Sequence, residues 1–447
     1  MKRWLPWLVI PLVLSVWVLV THARGNGLLE DTDTKVLLAN IQARHNPLSW
    51  FAGDWPLFNH FYRPVSTLAF EFDLWRWGMN GSGFGLTNAA VASVCIWVAF
   101  WVGRELTDHA PTVGLATLAF GLAHVRLEWV AAAFGLFWIL AWVCLAGFAR
   151  GPWKLKVVPV ALGFLGCVFL ASLVPGPLGF ASRITGWLPG RTASVMAIFA
   201  LASVAAYARY ERLTAGQKPS PPTPMDLPAT KGTVAAQPGK MPWIWVVVSA
   251  LALALALGSY EQAVVLPGLL TGVAVMFALQ GRRVHWVCPV LFWAVLVGYL
   301  VLRHQVVPSQ VSGYQAQQFR DGPGVFLDLG NYLVPGLTVL PQLQITLETG
   351  LFSLLTAAPW LYGALVAGNI ASVAGIWHDR RRWLAIGLLL MGFVAFLPMA
   401  WLKFFAHYHY FPAVFYCLFL AVLAQIVLRW VAEAVSPPPM AAPARPG

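Results

Sequence analysis

Stretches of roughly 20 apolar residues recur along the whole chain, and this recurrence limits the solvent in which it can fold. A helix needs about that length to cross the hydrocarbon of a bilayer, where every backbone polar group must be satisfied within the segment. The 447 residues are 59% hydrophobic and only 10% charged, with 23 Trp. No soluble domain of this size has an interior large enough for so much apolar surface. The expected fold is all-α, a polytopic helical membrane protein. Spans are expected near 4–20, 86–105, 111–130, 132–149, 157–174, 192–210, 242–260, 262–280, 285–303, 351–376, 383–402 and 410–430, about twelve in all.

Charge sets the orientation. With the N-terminus inside and the spans alternating, the inner segments hold 18 Lys/Arg and 6 Asp/Glu, and the outer ones 11 of each. The net charge of +12 therefore falls on the inner side, as the positive-inside bias requires. Arg282-Arg283, Arg380-Arg381-Arg382, and Lys154 with Lys156 are the clearest inner anchors. The basic balance is a topology signal, and nucleic acid is not an expected partner. The expected location is a plasma membrane (a bacterial inner membrane) crossed many times, with both termini cytoplasmic. Met1-Lys2-Arg3, an apolar run and Thr21-His22-Ala23 loosely imitate a signal peptide. The run is longer than a usual h-region and the cleavage site is weak, so residues 4–20 are expected to persist as a helix. Cys95, Cys144, Cys167, Cys288 and Cys417 fall mostly in predicted spans and have no ligand spacing, so they read as small buried hydrophobes.

Two membrane modules are expected, 1–210 and 242–430. A Pro-rich linker at 211–241 joins them, and a Pro-rich tail follows at 431–447; both have the composition of disordered segments. Two outer loops are large enough to fold, 21–85 and 304–350. The first interleaves polar breaks with Trp50, Phe51, Trp55, Phe58, Phe61, Tyr62, Phe70, Phe72, Trp75 and Trp77, which predicts short helices lying in the membrane interface.

The ionisable groups carry the chemistry. Glu30-Asp31-Thr32-Asp33 lies just past the first span. Carboxylates beside lipid are costly and tend to be kept for a reason, and poor solvation makes them better bases. Asp31 and Asp33 point to nearly opposite sides of a helix but share a face of an extended segment. The bland alternative is a set of solvated loop charges. His124 and Glu128, four apart, stack on one helix face while Arg126 points elsewhere. That pair reads equally well as a structural contact at a helix end. Its spacing also suits a metal but no third ligand is evident, so a divalent metal is left open and no cofactor is assigned. Ser259-Tyr260-Glu261-Gln262 lies in an outer hairpin, and Lys403, His407 and Tyr410 are expected to follow one helical face. In this topology all these groups converge on the outer leaflet. Carboxylates there can activate a hydroxyl, while Arg63, Arg126, Lys403 and His407 can hold a phosphate. Singly, each basic residue reads as a contact to lipid headgroups.

The order of these landmarks resembles membrane glycosyltransferases of the GT-C superfamily, the protein O-mannosyltransferase-like enzymes in particular. Tyr62-Arg63-Pro64-Val65-Ser66-Thr67-Leu68, Phe72-Asp73-Leu74, Gly78-Met79-Asn80 and Gly83-Phe84-Gly85-Leu86-Thr87-Asn88 are similar to that family's "YRPLS…LD…G.NP.GFHL.N". Phe120–Val130 is similar to its "FALHPVHXEAV", Ser259–Pro267 to "SKE.A..LP", and His407–Ala413 to "RYLYLPS". The chain departs from the pattern in the Glu-Asp order of its acidic doublet, in Arg126 for His, in lacking a Pro after His124, in Tyr260 for Lys and in His407 for Arg. It also lacks a tetratricopeptide region.

The resemblance implies a polyprenyl-phosphate-linked sugar donor, a hydroxyl acceptor on protein, lipid or polysaccharide, and inverting transfer at the extracytoplasmic face. It implies a base role for Asp31, with Asp33 in reserve and Glu128 as a second catalytic carboxylate. Arg63, Arg126, Lys403 and His407 would bind the donor phosphate, and Glu30, Tyr62, His124, Glu261 and Tyr410 would orient substrate. The alternatives are a transporter or flippase for a lipid-linked substrate, or an inactive assembly subunit. A transporter would carry matching broken helices in its two halves, and no such repeat is visible.

Overall fold

The computed structural model describes residues 2–25, 27–44, 46–124, 181–214, 242–320, 379–403 and 405–435, with a few isolated positions between 322 and 377. Arg126, Glu128, the expected spans at 132–149 and 157–174, most of the one at 351–376, nearly all of the linker and the tail from 436 lie outside the described residues.

The described chain is helical, apart from a single isolated bridge between Phe319 and Leu402. Seven of its helical stretches are long and apolar enough to cross a membrane: Arg3–His22, Gly81–Thr107, Leu188–Thr214, Glu261–Leu279, Val287–Val306, Arg382–Met399 and Ala406–Ile426. Ala110–Leu122 and Ile244–Leu257 are apolar but shorter. The named α-helices are α1 Val9–His22, α2 Thr32–Arg44, α3 Pro64–Trp77, α4 Gly81–Thr107, α5 Ala110–Leu122, α6 Ser182–Gly186 and α7 Arg191–Thr214. They continue as α8 Ile244–Leu257, α9 Leu266–Leu279, α10 Val287–Val306, α11 Gly313–Gln318, α12 Arg382–Phe396 and α13 Tyr410–Val435.

Helix α7 is the axis of the bundle. Its span is 83% buried, against 22% for α10 at the perimeter, because its sequence is rich in Ala and Ser. Small residues let backbones approach closely, which is how helices associate without a hydrophobic drive between them. Helix α7 packs on α4 and α8. On the α8 side, Ser203 and Ser249 each donate a hydroxyl to the other's carbonyl at 2.9 Å. A second close approach joins α1 to α4. A Cβ on Gly85 would lie 2.5 Å from the Gly25 Cα, and Gly25 itself has φ +58°. That positive φ is the conformation glycine adopts without a Cβ penalty.

One continuous apolar core runs through helices from both sides of the Pro-rich linker, including Ile96 and Leu201 before it and Leu253, Phe277 and Phe415 after it. The expected modules therefore share a single core. Helix α7 also extends to Thr214, four residues into the expected linker.

The loop expected at 21–85 folds as a cap over the end of the bundle where α1 finishes. Its core is Leu28, Leu37, Leu38, Ile41, Trp50, Trp55 and Phe70, closed by Phe84 of α4 and by Leu188. The cap is pinned by a buried polar cluster. Asp73 of α3 pairs with Arg191 of α7, and both are fully buried. Arg191 Nε donates to Asn88 Oδ1 at 2.5 Å, its Nη2 donates to the Phe84 carbonyl at 3.2 Å, and Thr87 Oγ1 donates to Asp73 Oδ1 at 2.7 Å. The short helices expected in this loop are present as α2 and α3. Phe72 and Trp75 of α3 are 52% and 78% exposed, an apolar surface of the kind that sits at a membrane edge.

Candidate active site

Helix α2 starts where it does because of Asp31. Its Oδ2 accepts from Thr34 N at 3.1 Å and from Thr34 Oγ1 at 3.3 Å, so the carboxylate caps the helix, and Asp33 follows in the first turn. Acidic residues are favoured at this place by the helix dipole. Local physics therefore explains part of the acidic cluster. It does not explain a further partner: the Trp187 indole donates to the same Asp31 oxygen at 3.0 Å, across 156 residues of sequence.

Trp187 belongs to a short segment between α6 and α7 that brings Arg183 to the same place. The Arg183 guanidinium lies 4.5 Å from the centre of the Trp187 ring and 4.6 Å from that of Phe405. Its Nε is buried, and among the described residues the side chain makes no hydrogen bond and no ion pair. Burial pulls its pKa down, while Tyr408, Tyr314, Tyr260 and Asp31 act in the opposite direction. Asp33 is exposed at its surface, yet partial desolvation and the Asp31 charge raise its pKa, and Arg183 moderates the rise.

From Trp187 the site continues through rings. The His407 ring is 5.6 Å away, and its Nε2 is 3.3 Å from the Tyr260 hydroxyl. The buried Nδ1 of His407 has no partner among the described residues. The Tyr260 ring in turn supports Arg63, whose guanidinium lies 4.5 Å from it, 4.2 Å from Phe61 and 5.0 Å from Trp55. Arg63 donates to both oxygens of Glu261, Nε at 3.1 and 2.9 Å and Nη2 at 2.5 Å. Burial opposes the Arg63 charge, but Glu261, Tyr260 and Tyr408 together outweigh it, so its pKa rises. Two hydrogen bonds, one from the backbone and one from a side chain, hold α3 to the Glu261 hairpin: Val65 N donates to the Gly258 carbonyl at 2.9 Å, and Ser66 Oγ to the Ser259 carbonyl at 2.9 Å.

The structure thus brings Asp31, Asp33, His407, Arg63 and Glu261 into one neighbourhood, but it alters their chemistry. Arg63 is committed to Glu261, which makes it a positioning residue instead of a free phosphate ligand. His407 is buried among rings, and its side chain makes one hydrogen-bond contact among the described residues, to the Tyr260 hydroxyl. Tyr62 is a buried structural residue whose hydroxyl donates to the Phe51 carbonyl at 3.1 Å. Glu30 is exposed beside Asp31. Lys403 is exposed, and its backbone N–H donates to the Gln318 carbonyl at 2.7 Å. Lys403, His407 and Tyr410 do not share a helical face. The chain leaves helix after Met399, and Lys403 falls in an extended stretch ahead of the turn at Ala406–His409. His124 and Tyr410 do meet: His124 Nε2 lies 2.8 Å from the Tyr410 hydroxyl, with Phe120 packed on both rings. His22 Nε2–H donates to the His124 carbonyl at 2.7 Å, so this pair is a buried tie between α1, the end of α5 and α13.

Arg183 and Trp187 are the site residues that sequence reasoning missed. Their signal was a polar break, Ser182-Arg183-Ile184-Thr185-Gly186-Trp187, carrying a cation on what the expected topology makes the outer side, where the positive-inside bias disfavours one. Among the described residues no three His, Cys, Asp or Glu side chains are grouped to hold a metal ion. Comparisons with family models, curated proteins and solved structures found no match to this chain.

Proposed function

We propose that this chain is an integral membrane glycosyltransferase that moves a sugar from a polyprenyl-phosphate donor to a hydroxyl acceptor at the Asp31 end of the bundle. One observation carries this reading: two carboxylates lie within electrostatic reach of a guanidinium that stacks on Trp187 and Phe405 and has no hydrogen bond among the described residues. Such a set supplies a base for a hydroxyl proton and a cation for a departing phosphate.

Asp33 is the better-suited base, because partial desolvation and the neighbouring charge raise its proton affinity. Asp31, held by the helix start and by Trp187, orients the acceptor. The acceptor oxygen attacks the anomeric carbon as Asp33 takes its proton. The bond from that carbon to the phosphate oxygen breaks, and the phosphate leaves with the electron pair on the opposite face, inverting the centre. Arg183, joined by Lys403 from the neighbouring extended stretch, holds the developing phosphate charge. Arg63 and Glu261 keep the Tyr260–His407 wall in position.

The test is transfer of radiolabelled sugar from polyprenyl-phosphate donors in purified membranes. Wild type is compared with Asp33→Asn, Asp31→Asn and Arg183→Gln. Abolition by Asp33→Asn, with residual transfer by Asp31→Asn, supports these roles; loss confined to Asp31→Asn returns the base to Asp31. A folded wild type inert with every donor refutes the glycosyltransferase and favours a transporter of lipid-linked substrates.

A further inference from the structure

The opposite end of the bundle, where α1 begins and α4 and α7 finish, holds a second polar constellation that the reaction does not use. A cavity of about 300 Å³ is lined there by Arg3, Arg104, Arg209, Arg212, Glu105 and Asp108, with Trp4 and Leu213 at its edge. Four guanidiniums face two carboxylates. Glu105 is buried and is shared by Arg209 at 3.1 Å, Arg212 at 3.5 Å and Arg104 at 3.8 Å. Asp108 is shared by Arg3 at 2.5 Å and Arg212 at 3.0 Å. Arg282, beyond the end of α9, is within electrostatic reach of Arg212 and Asp108 and adds a further cation.

The donors outnumber their acceptors. Among the described residues the Arg104 side chain makes no hydrogen bond, only the long ion pair, while its carbonyl accepts from Arg212 Nη1 at 2.7 Å, and the Arg209 Nε is buried without a partner. Ordinary topology anchors spread outward to headgroups; these arginines converge on an empty space. We infer that this cavity binds a phosphate group, the chemistry that planar guanidinium forks match best.

The surroundings favour a lipid as the source of that phosphate. Trp4 lies under Arg3 and Arg104, at 5.6 and 5.8 Å, and Arg209 lies over Trp245 at 4.9 Å. Such rings mark headgroup depth. Directly along the chain, Leu5, Val9, Leu12, Val13 and Val16 are exposed at more than half of their surface, a track for an acyl chain.

The experiment uses the full chain in neutral detergent, with phosphatidylglycerol, phosphatidylcholine and inorganic phosphate as probes. Thermal unfolding and native mass spectrometry read binding to wild type and to Arg104→Gln/Arg209→Gln. Arg3→Gln, at an exposed position, is the second variant should the first fail to fold. The expected result is a rise in Tm and retained lipid with phosphatidylglycerol but not phosphatidylcholine. Apparent affinity should weaken about tenfold or more in the variant, as loss of charge-assisted hydrogen bonds predicts. An equal rise with inorganic phosphate keeps the site and names the free anion as its ligand. No rise with either probe, or an undiminished rise in the variants, overturns the proposal.

Discussion

Removing the charge from Asp73 should unpin the cap that carries the candidate site. Asp73 and Arg191 are 0% exposed, and neither has water to fall back on. Asp73→Asn keeps the shape of the side chain but leaves the Arg191 cation facing a neutral amide. Breaking a buried pair from one side typically costs ~3–5 kcal/mol. Arg191 retains Asn88 Oδ1 and the Phe84 carbonyl as acceptors, which places Asp73→Asn at the lower end, about 3 kcal/mol. Arg191→Met leaves the carboxylate with only Thr87 as donor, which places it near the upper end, about 5 kcal/mol. The double variant should cost less than the sum of the two by about 2 kcal/mol or more, because the second change removes the stranded charge. Detergent-titrated unfolding followed by Trp fluorescence measures all three. A cost below about 1 kcal/mol for Asp73→Asn, or strict additivity in the double variant, would refute the reasoning.

Three further outcomes are expected. The acid limb of the transfer rate should lie above pH 3.8, the ordinary value for Asp33, moving down in Asp31→Asn and up in Arg183→Gln. The linked stability has the matching sign: a raised folded pKa adds stability that is complete below 3.8 and is lost as pH rises through the raised value. Gly85→Ala should lower stability by ~1–3 kcal/mol in the same unfolding titration, because its Cβ meets backbone of Gly25 and His22 at 2.5 and 2.8 Å; an unchanged midpoint would mean that α1 and α4 separate freely. Glu261→Gln should lower kcat without moving the acid limb, since it loosens the Arg63–Tyr260–His407 wall and leaves Asp33 untouched; a shifted limb would place Glu261 in the proton transfer itself.

The candidate site was legible in pieces. Asp31, Arg63, Glu261 and His407 stood out as ionisable residues beside apolar runs, and their convergence on one end followed from counting alternating spans. Their roles were not legible. Arg63 and Glu261 are 198 positions apart, and nothing local states that they neutralise each other. Arg183 did not stand out in the sequence at all, since its place beside the Trp187 and Phe405 rings is set only by tertiary packing. Asp73 and Arg191 gave no sign of pairing, since one lies in an amphipathic loop helix and the other at the head of a long span. The break that separates Lys403 from His407 also escaped a helical reading, because Leu397-Pro398-Met399 continues the apolar pattern while ending the helix.

The chain by itself determined its apolar surroundings, its helical character and the grouping of Asp31, Asp33 and Glu261 at one end of the bundle. Those follow from apolar length, the need to satisfy backbone groups in lipid, and charge bias, each of which is a local or additive property. Only the tertiary structure decided which cations remain unpaired. Pairing depends on distances between residues hundreds of positions apart, and in a low-dielectric interior a partner a few ångströms away is what turns a phosphate ligand into a structural strut.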